Sequence, residues 1–187
     1  EIGGALRHDG HPPLYYVLLH GWMTLFGEGD VAVRAFSGVW ALALLPLVWV
    51  AGRRMGGTRV ATYAVAVVAL LPFAVRYGTE ARMYAMVSVL ALVGWLLVYD
   101  ALRQPRPLRL VGVAAVTGML LWSHYWAFYL LATAGVWLLL RLWRERRAGL
   151  ATDARAKLAV IAAMVVGGLT FLPWLGHFLY QGRHTGT

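Results

Sequence analysis

Two apolar runs, residues 31–50 and 60–75, are divided by the short polar stretch RRMGGTR, and this pairing constrains the chain most. Each run approaches the ~18–20 residues that a helix needs to cross a bilayer. The arginines between them stay at a membrane surface, because a charge at the bilayer centre is costly. The pattern then recurs with apolar runs at residues 83–99, 108–121, 126–140 and 158–179. A backbone in lipid must satisfy its own polar groups, and a helix does so within itself. The expected fold is therefore all-α: a polytopic transmembrane helical protein with about six spans. Charged residues make up 13% of the 187, against about 25% in a soluble domain. The chain has no cysteine, which excludes disulfides and thiolate metal sites.

The formal net charge is +9, a value that could suggest nucleic acid. Its distribution argues for a membrane instead. Arg53, Arg54 and Arg59 fill one loop, and Arg103, Arg106 and Arg109 another. A third loop holds Arg141, Arg144, Arg146, Arg147, Arg155 and Lys157. Basic residues gathered in alternate loops follow the positive-inside rule, which makes these three loops cytoplasmic. Membrane lipid headgroups are their expected partners. Nucleic acid is excluded as a partner because no continuous basic face is present.

Loop parity places residue 31 at the outer surface. The run at 14–25 is too short to cross and is joined to the first span by FGEGD alone. It is expected to lie along the outer interface as a helix. Pro12 and Pro13 suit its first turn, where a missing N–H costs nothing. The chain thus reads as a single transmembrane domain: an outer loop with an interfacial helix over 1–30, then spans over 31–187. Pro46 lies inside the first span and is expected to kink it.

The outer side gathers the unusual chemistry. All six histidines fall on or near it, with Glu1, Asp9, Glu28, Asp30 and Glu80. In RYGTEARMY, residues 76–84, Arg76 and Arg82 can grip a phosphate through charge-assisted hydrogen bonds, or can pair with Glu80. If the segment is helical from Thr79 onward, Glu80 and Tyr84 share one side at i and i+4. In WSHYW, residues 122–126, His124 is either an acid–base or binding group or one polar member of an aromatic belt. In DGHPP, Asp9 can act as a general base, and both Asp9 and His11 can take part in metal binding. A solvated loop before a proline-started helix explains the same residues structurally.

Taken in order, these stretches resemble one family. DGHPPLYYVLLHGWMTLFG, then VAVRAFSGVWALALLPLVWVAGRRMGG, RYGTEARMYA and SHYWAFYLL are similar to the N-terminal part of GT-C glycosyltransferases of family 39. That group includes protein O-mannosyltransferases and the aminoarabinose transferase of lipid A. The resemblance implies transfer of a sugar from a polyprenyl-phosphate donor to a protein, lipid or glycan acceptor, with inversion by direct displacement. It implies a site on the extracytoplasmic face of a bacterial cytoplasmic membrane. Carried over, Asp9 and Glu80 are the catalytic carboxylates. His11, Arg76, Arg82, Tyr84, His124 and Tyr125 bind substrate, and Asp9 with His11 offers a place for a divalent metal. The family's usual Asp-Glu pair, some twenty residues before the His-Pro-Pro element, has no counterpart here. The expectation is a fragment whose main catalytic acid and first span lie upstream. A transporter or flippase is the main rival, although it would favour polar or broken spans at mid-membrane. An inactive membrane subunit is the other.

Overall fold

The structure, a computed structural model, describes residues 12–149 and 153–184. Among the described residues, α1 covers Leu14–Phe26, α2 Asp30–Leu70 and α3 Pro72–Thr79. They are followed by α4 over Tyr84–Arg103, α5 over Pro107–Ser123 and α6 over Ala127–Arg147. The chain closes with α7 over Ala154–Leu169, a 3-10 turn over Leu172–Trp174, and α8 over Leu175–His184. The asparagine-free apolar stretches form helices without strands among the described residues, and the protein is an all-α polytopic membrane protein. Asp30–Leu70, Tyr84–Arg103, Ala127–Arg147 and Ala154–Tyr180 are each long and apolar enough to cross a membrane. The helices fall into two compact units, Pro13–Val93 and the residues from Gly94 onward.

In the first unit, α2 is two helices joined by a reversal. Gly56 (φ −159°, ψ 22°) and Gly57 (φ 78°, ψ −168°) leave helical geometry, and the φ of Gly57 is in the range that favours glycine. A straight helix would hold Gly52 and Ala61 about 13 Å apart. Here a Cβ on Gly52 would fall 2.7 Å from the Ala61 Cα, so the two arms double back with backbones in contact. Beyond the second arm, α3 also returns to the first. A Cβ on Gly78 would lie 2.8 Å from the Ala41 Cβ. The RRMGGTR stretch is thus the turn of a helical hairpin, as the sequence pattern required.

Prolines fall at three places in these apolar runs, and two of them interrupt the α-helix. The second span is not one helix over 60–75: Leu71 adopts an extended ψ of 118°, and Pro72 opens α3 at its N-terminus. A proline disfavours α geometry in the residue before it. The apolar run at 158–179 lies within Ala154–Tyr180, which is long enough to cross, and its helix passes through the 3-10 turn that contains Pro173. Pro46 keeps helical dihedrals; within α2 only the two glycines depart from them. At Pro72 and Pro173 the proline stands where it can end one helix and start the next.

In the second unit, small residues carry the close contacts. A Cβ on Gly167 of α7 would overlap the Ala114 carbonyl oxygen of α5, and one on Gly118 would meet the Thr170 Oγ1 at 2.9 Å. Lipid offers no hydrophobic drive between helices, so close backbone approach and dispersion must hold them together. Ala101, Val113, Leu138, Val160 and Ala163 form the buried cluster beside that crossing.

Candidate functional site

In the first unit the proline-started helix comes down on the start of α2. Pro13 supplies the first carbonyl of α1, which accepts from the Val17 N–H at 3.0 Å. The helix then packs antiparallel to α2 through aromatic side chains. The Trp22 indole donates to the Ala32 carbonyl at 2.8 Å, and Tyr15 and Trp22 both lie against Phe36, at 5.5 and 5.6 Å between ring centroids.

One buried polar chain links α1, α2 and the turn after α3. The Ser37 hydroxyl donates to the Arg82 carbonyl at 3.2 Å. Its proton is committed there, so the Tyr15 hydroxyl donates to the Ser37 Oγ at 2.8 Å. Tyr15 is 1% exposed and Ser37 0%. Burial pushes the Tyr15 phenol above its ordinary value, and the bond to Ser37 opposes that in part. Met83, also buried, anchors the turn next to this bond. Arg34 adds a second tie, from its guanidinium to the Thr79 carbonyl at 3.5 Å.

The backbone of Arg82 is held inside, and its side chain is left exposed. Its guanidinium is stabilised first by a hydrogen bond and charge interaction with Tyr84, then by the Glu80 carboxylate and, more weakly, by Tyr16 of α1. These push its pKa further above the usual arginine value, although an arginine is charged at physiological pH in any setting. Tyr84 is braced edge-on by Tyr77 at 4.6 Å, and Tyr77 by Phe73 at 4.4 Å. The arrangement presents a preorganised cation with an acid beside it, at a turn rather than inside a span. A guanidinium in that setting suits a phosphate or carboxylate, which it can grip with two parallel N–H donors.

The i, i+4 relation expected for Glu80 and Tyr84 does not form. α3 ends at Thr79, Glu80 is extended (ψ 136°), and helix resumes only at Tyr84. Instead the Arg82 N–H donates to the Glu80 carbonyl at 2.8 Å, a tight turn that swings Arg82 between the two. Arg76 is exposed, and its carbonyl accepts from the Glu80 N–H and the Thr79 hydroxyl. Asp9 and His11 lie outside the described residues. Among the described residues no three histidine or acidic side chains stand close enough to hold a metal ion. The described part of the turn therefore supplies no ligand set of its own.

His124 and Tyr125 belong to the second unit. The His124 Nδ1 accepts from the Trp126 N–H at 3.1 Å, and the Tyr125 oxygen accepts from the Trp174 indole at 3.2 Å. Burial again raises the Tyr125 phenol, with the Trp174 bond opposing. His177 stacks on Trp174 at 4.5 Å and 13°, and Phe171 and Phe178 close the cluster around Tyr125.

Tyr15, Tyr16, Ser37 and Trp174 were not among the residues expected from sequence to matter. The one available signal was Ser37 itself, a hydroxyl one helical turn after Arg34 in an otherwise apolar run. Residues 10–176 match the family model described as dolichyl-phosphate-mannose-protein mannosyltransferase. Comparison with curated proteins and with solved structures gave no match.

Proposed function

The chain belongs to the dolichyl-phosphate-mannose-protein mannosyltransferase family, a group of membrane glycosyltransferases of GT-C type, and from that premise we propose that it transfers mannose or a similar sugar from a polyprenyl-phosphate donor at the extracytoplasmic surface. The observation that supports this most is the Arg82 turn: an exposed guanidinium held by Tyr84, with Glu80 beside it and its carbonyl tied to Ser37. A lipid-linked donor keeps its phosphate at headgroup depth. A cation fixed at the mouth of a helical hairpin is suited to that depth.

The proposed reaction is a direct displacement. The acceptor hydroxyl oxygen forms a bond to the anomeric carbon. The bond from that carbon to the phosphate oxygen breaks, its electron pair leaves with the phosphate, and the configuration inverts. The hydroxyl proton passes to a carboxylate, for which Asp9 and Glu80 are the candidates. Arg82, with Arg76 and His11, stabilises the charge that grows on the leaving phosphate. Tyr84 orients the guanidinium. His124 and Tyr125 are proposed as an acceptor-facing surface of their own unit. The His124 Nδ1 and the Tyr125 oxygen already accept bonds within that unit. A divalent cation, if the reaction uses one, falls to Asp9 and His11, and no step here is routed through it.

The test is mannose transfer from a polyprenyl-phosphate donor, measured in membranes containing the enzyme. Arg82→Ala is expected to lower kcat/KM about 100-fold, in line with losing one charged contact to a developing anion. Arg82→Lys recovers part of the loss, because the charge remains and the fork does not. Wild-type turnover by Arg82→Ala at equal expression removes Arg82 from the site. Transfer from a nucleotide sugar with no lipid donor present rejects the donor class.

A further inference from the structure

We propose that the C-terminal end of α6 is a binding site for the phosphate headgroup of an anionic phospholipid. Leu139, Leu142, Trp143, Arg146 and Arg147 line a shallow cavity of about 490 Å³. Their spacing of three, four, seven and eight residues puts them on one stripe of the helix. The stripe is graded: apolar at Leu139 and Leu142, aromatic at Trp143, cationic at Arg146 and Arg147. That order matches a lipid, with acyl chain, interface and phosphate in sequence along the helix.

Two details make this more than a run of snorkelling side chains. First, the Arg147 guanidinium lies over the Trp143 ring, 4.2 Å from its centroid, so the cation is held in place before any ligand arrives. Second, the nearby acid is already neutralised. Glu145 accepts from the Arg141 Nε at 3.0 Å and from the Lys157 Nζ at 2.8 Å, and that lysine is 8% exposed. Among the described residues, Arg146 and Arg147 pair with no carboxylate. The end of the helix carries a partial negative charge of about half a unit, which these two guanidiniums outweigh. A phosphate that bears the lipid's net charge complements them, whereas a zwitterionic headgroup brings its own cation. Basic pockets next to membrane helices select anionic lipids on this ground. The assignment rests on the membrane character of the chain and is independent of the transfer reaction.

The experiment reconstitutes the protein in nanodiscs of mixed phosphatidylglycerol and phosphatidylcholine, extracts it in mild detergent, and counts retained lipids by native mass spectrometry. Three variants run beside the wild type: R146Q/R147Q, R146K/R147K, and R53Q/R54Q, which neutralises an arginine pair of the first unit. The wild type is expected to retain phosphatidylglycerol over phosphatidylcholine by about 30-fold, from roughly 1 kcal/mol for each of the two cations. R146Q/R147Q loses that preference, R146K/R147K keeps most of it, and R53Q/R54Q leaves it unchanged. Equal retention of the two lipids by the wild type overturns the proposal. So does a preference that survives R146Q/R147Q, or one that R53Q/R54Q lowers just as much, since the effect is then diffuse charge. Retention through these arginines of an acidic protein in place of lipid also overturns it. Unfolding temperatures matched across the variants exclude misfolding as the cause.

Discussion

The turns at residues 80–83 and 124–126 both join two apolar helices and both carry polar and aromatic residues, yet they use them in opposite ways. In the first, the buried hydrogen bonds end on the backbone of Arg82, and the charged side chain stays exposed. In the second, the side chains themselves take part in the bonds: the His124 Nδ1 accepts from the Trp126 N–H, and the Tyr125 oxygen accepts from the Trp174 indole. One turn is fixed so that a side chain is available; the other is fixed by its side chains. The difference teaches that polar residues beside a membrane are informative only when one knows which of their atoms are already satisfied.

Arg82→Ala has the largest expected effect on transfer, and Ser37→Ala follows it. That change leaves the buried Tyr15 hydroxyl and the Arg82 carbonyl without partners, at about 1–3 kcal/mol. It should lower the unfolding temperature in detergent and also slow transfer several-fold by loosening the turn. Tyr15→Phe, combined with Ser37→Ala, should add little further, because both act on one chain of bonds. Full additivity would break the link between α1 and the turn.

The next effect is one of pH. Burial raises the Tyr15 phenol above the ordinary tyrosine value, so the folded state favours the neutral form. The stability that comes from burying the neutral phenol is complete below that ordinary value, about 10. It is lost as the pH climbs above that, because the unfolded chain ionises first. Unfolding followed from neutral to strongly alkaline pH should show a drop that Tyr15→Phe flattens. The same drop in that variant would assign it elsewhere.

The smallest effects should come from the second turn. Trp174→Phe removes one neutral donor and is expected to cost about 0.5–1.5 kcal/mol of stability, with transfer changed less than twofold. His124→Ala should be milder still. A loss of transfer from His124→Ala as large as that from Arg82→Ala would erase the contrast between the turns and make His124 part of the chemistry.

What the sequence disclosed, and what it hid, follows the range of the interactions. The helical runs were legible because hydropathy and arginine placement act over a single segment. RRMGGTR announced a reversal for the same reason, with two glycines between an arginine pair and a third arginine. The breaks at Leu71 and at the Pro173 turn were signalled by prolines whose effect depends on whether neighbouring helices tolerate a kink. Pro46 is tolerated within α2, and nothing local distinguishes it from the other two. The candidate site was legible as a list of residues and not as an arrangement. Tyr15 and Ser37 are 22 residues apart, and Ser37 and Arg82 are 45 apart; no periodicity reports a bond over such separations. Glu80 was misplaced on a helix because GTEARM has no strong breaker after its glycine, whereas the tertiary bond to Arg82 favours a tight turn.

The doubling back at Gly56 and Gly57 has a consequence for how the protein enters its membrane. The returning arm, residues 58–70, spans roughly 20 Å and is too short to partition stably by itself. It lies backbone to backbone against its partner at Gly52 and Ala61, so the two arms are best inserted together, as one paired unit. A bulky residue at position 52 would then act first on biogenesis, by separating the pair before either arm has settled in lipid.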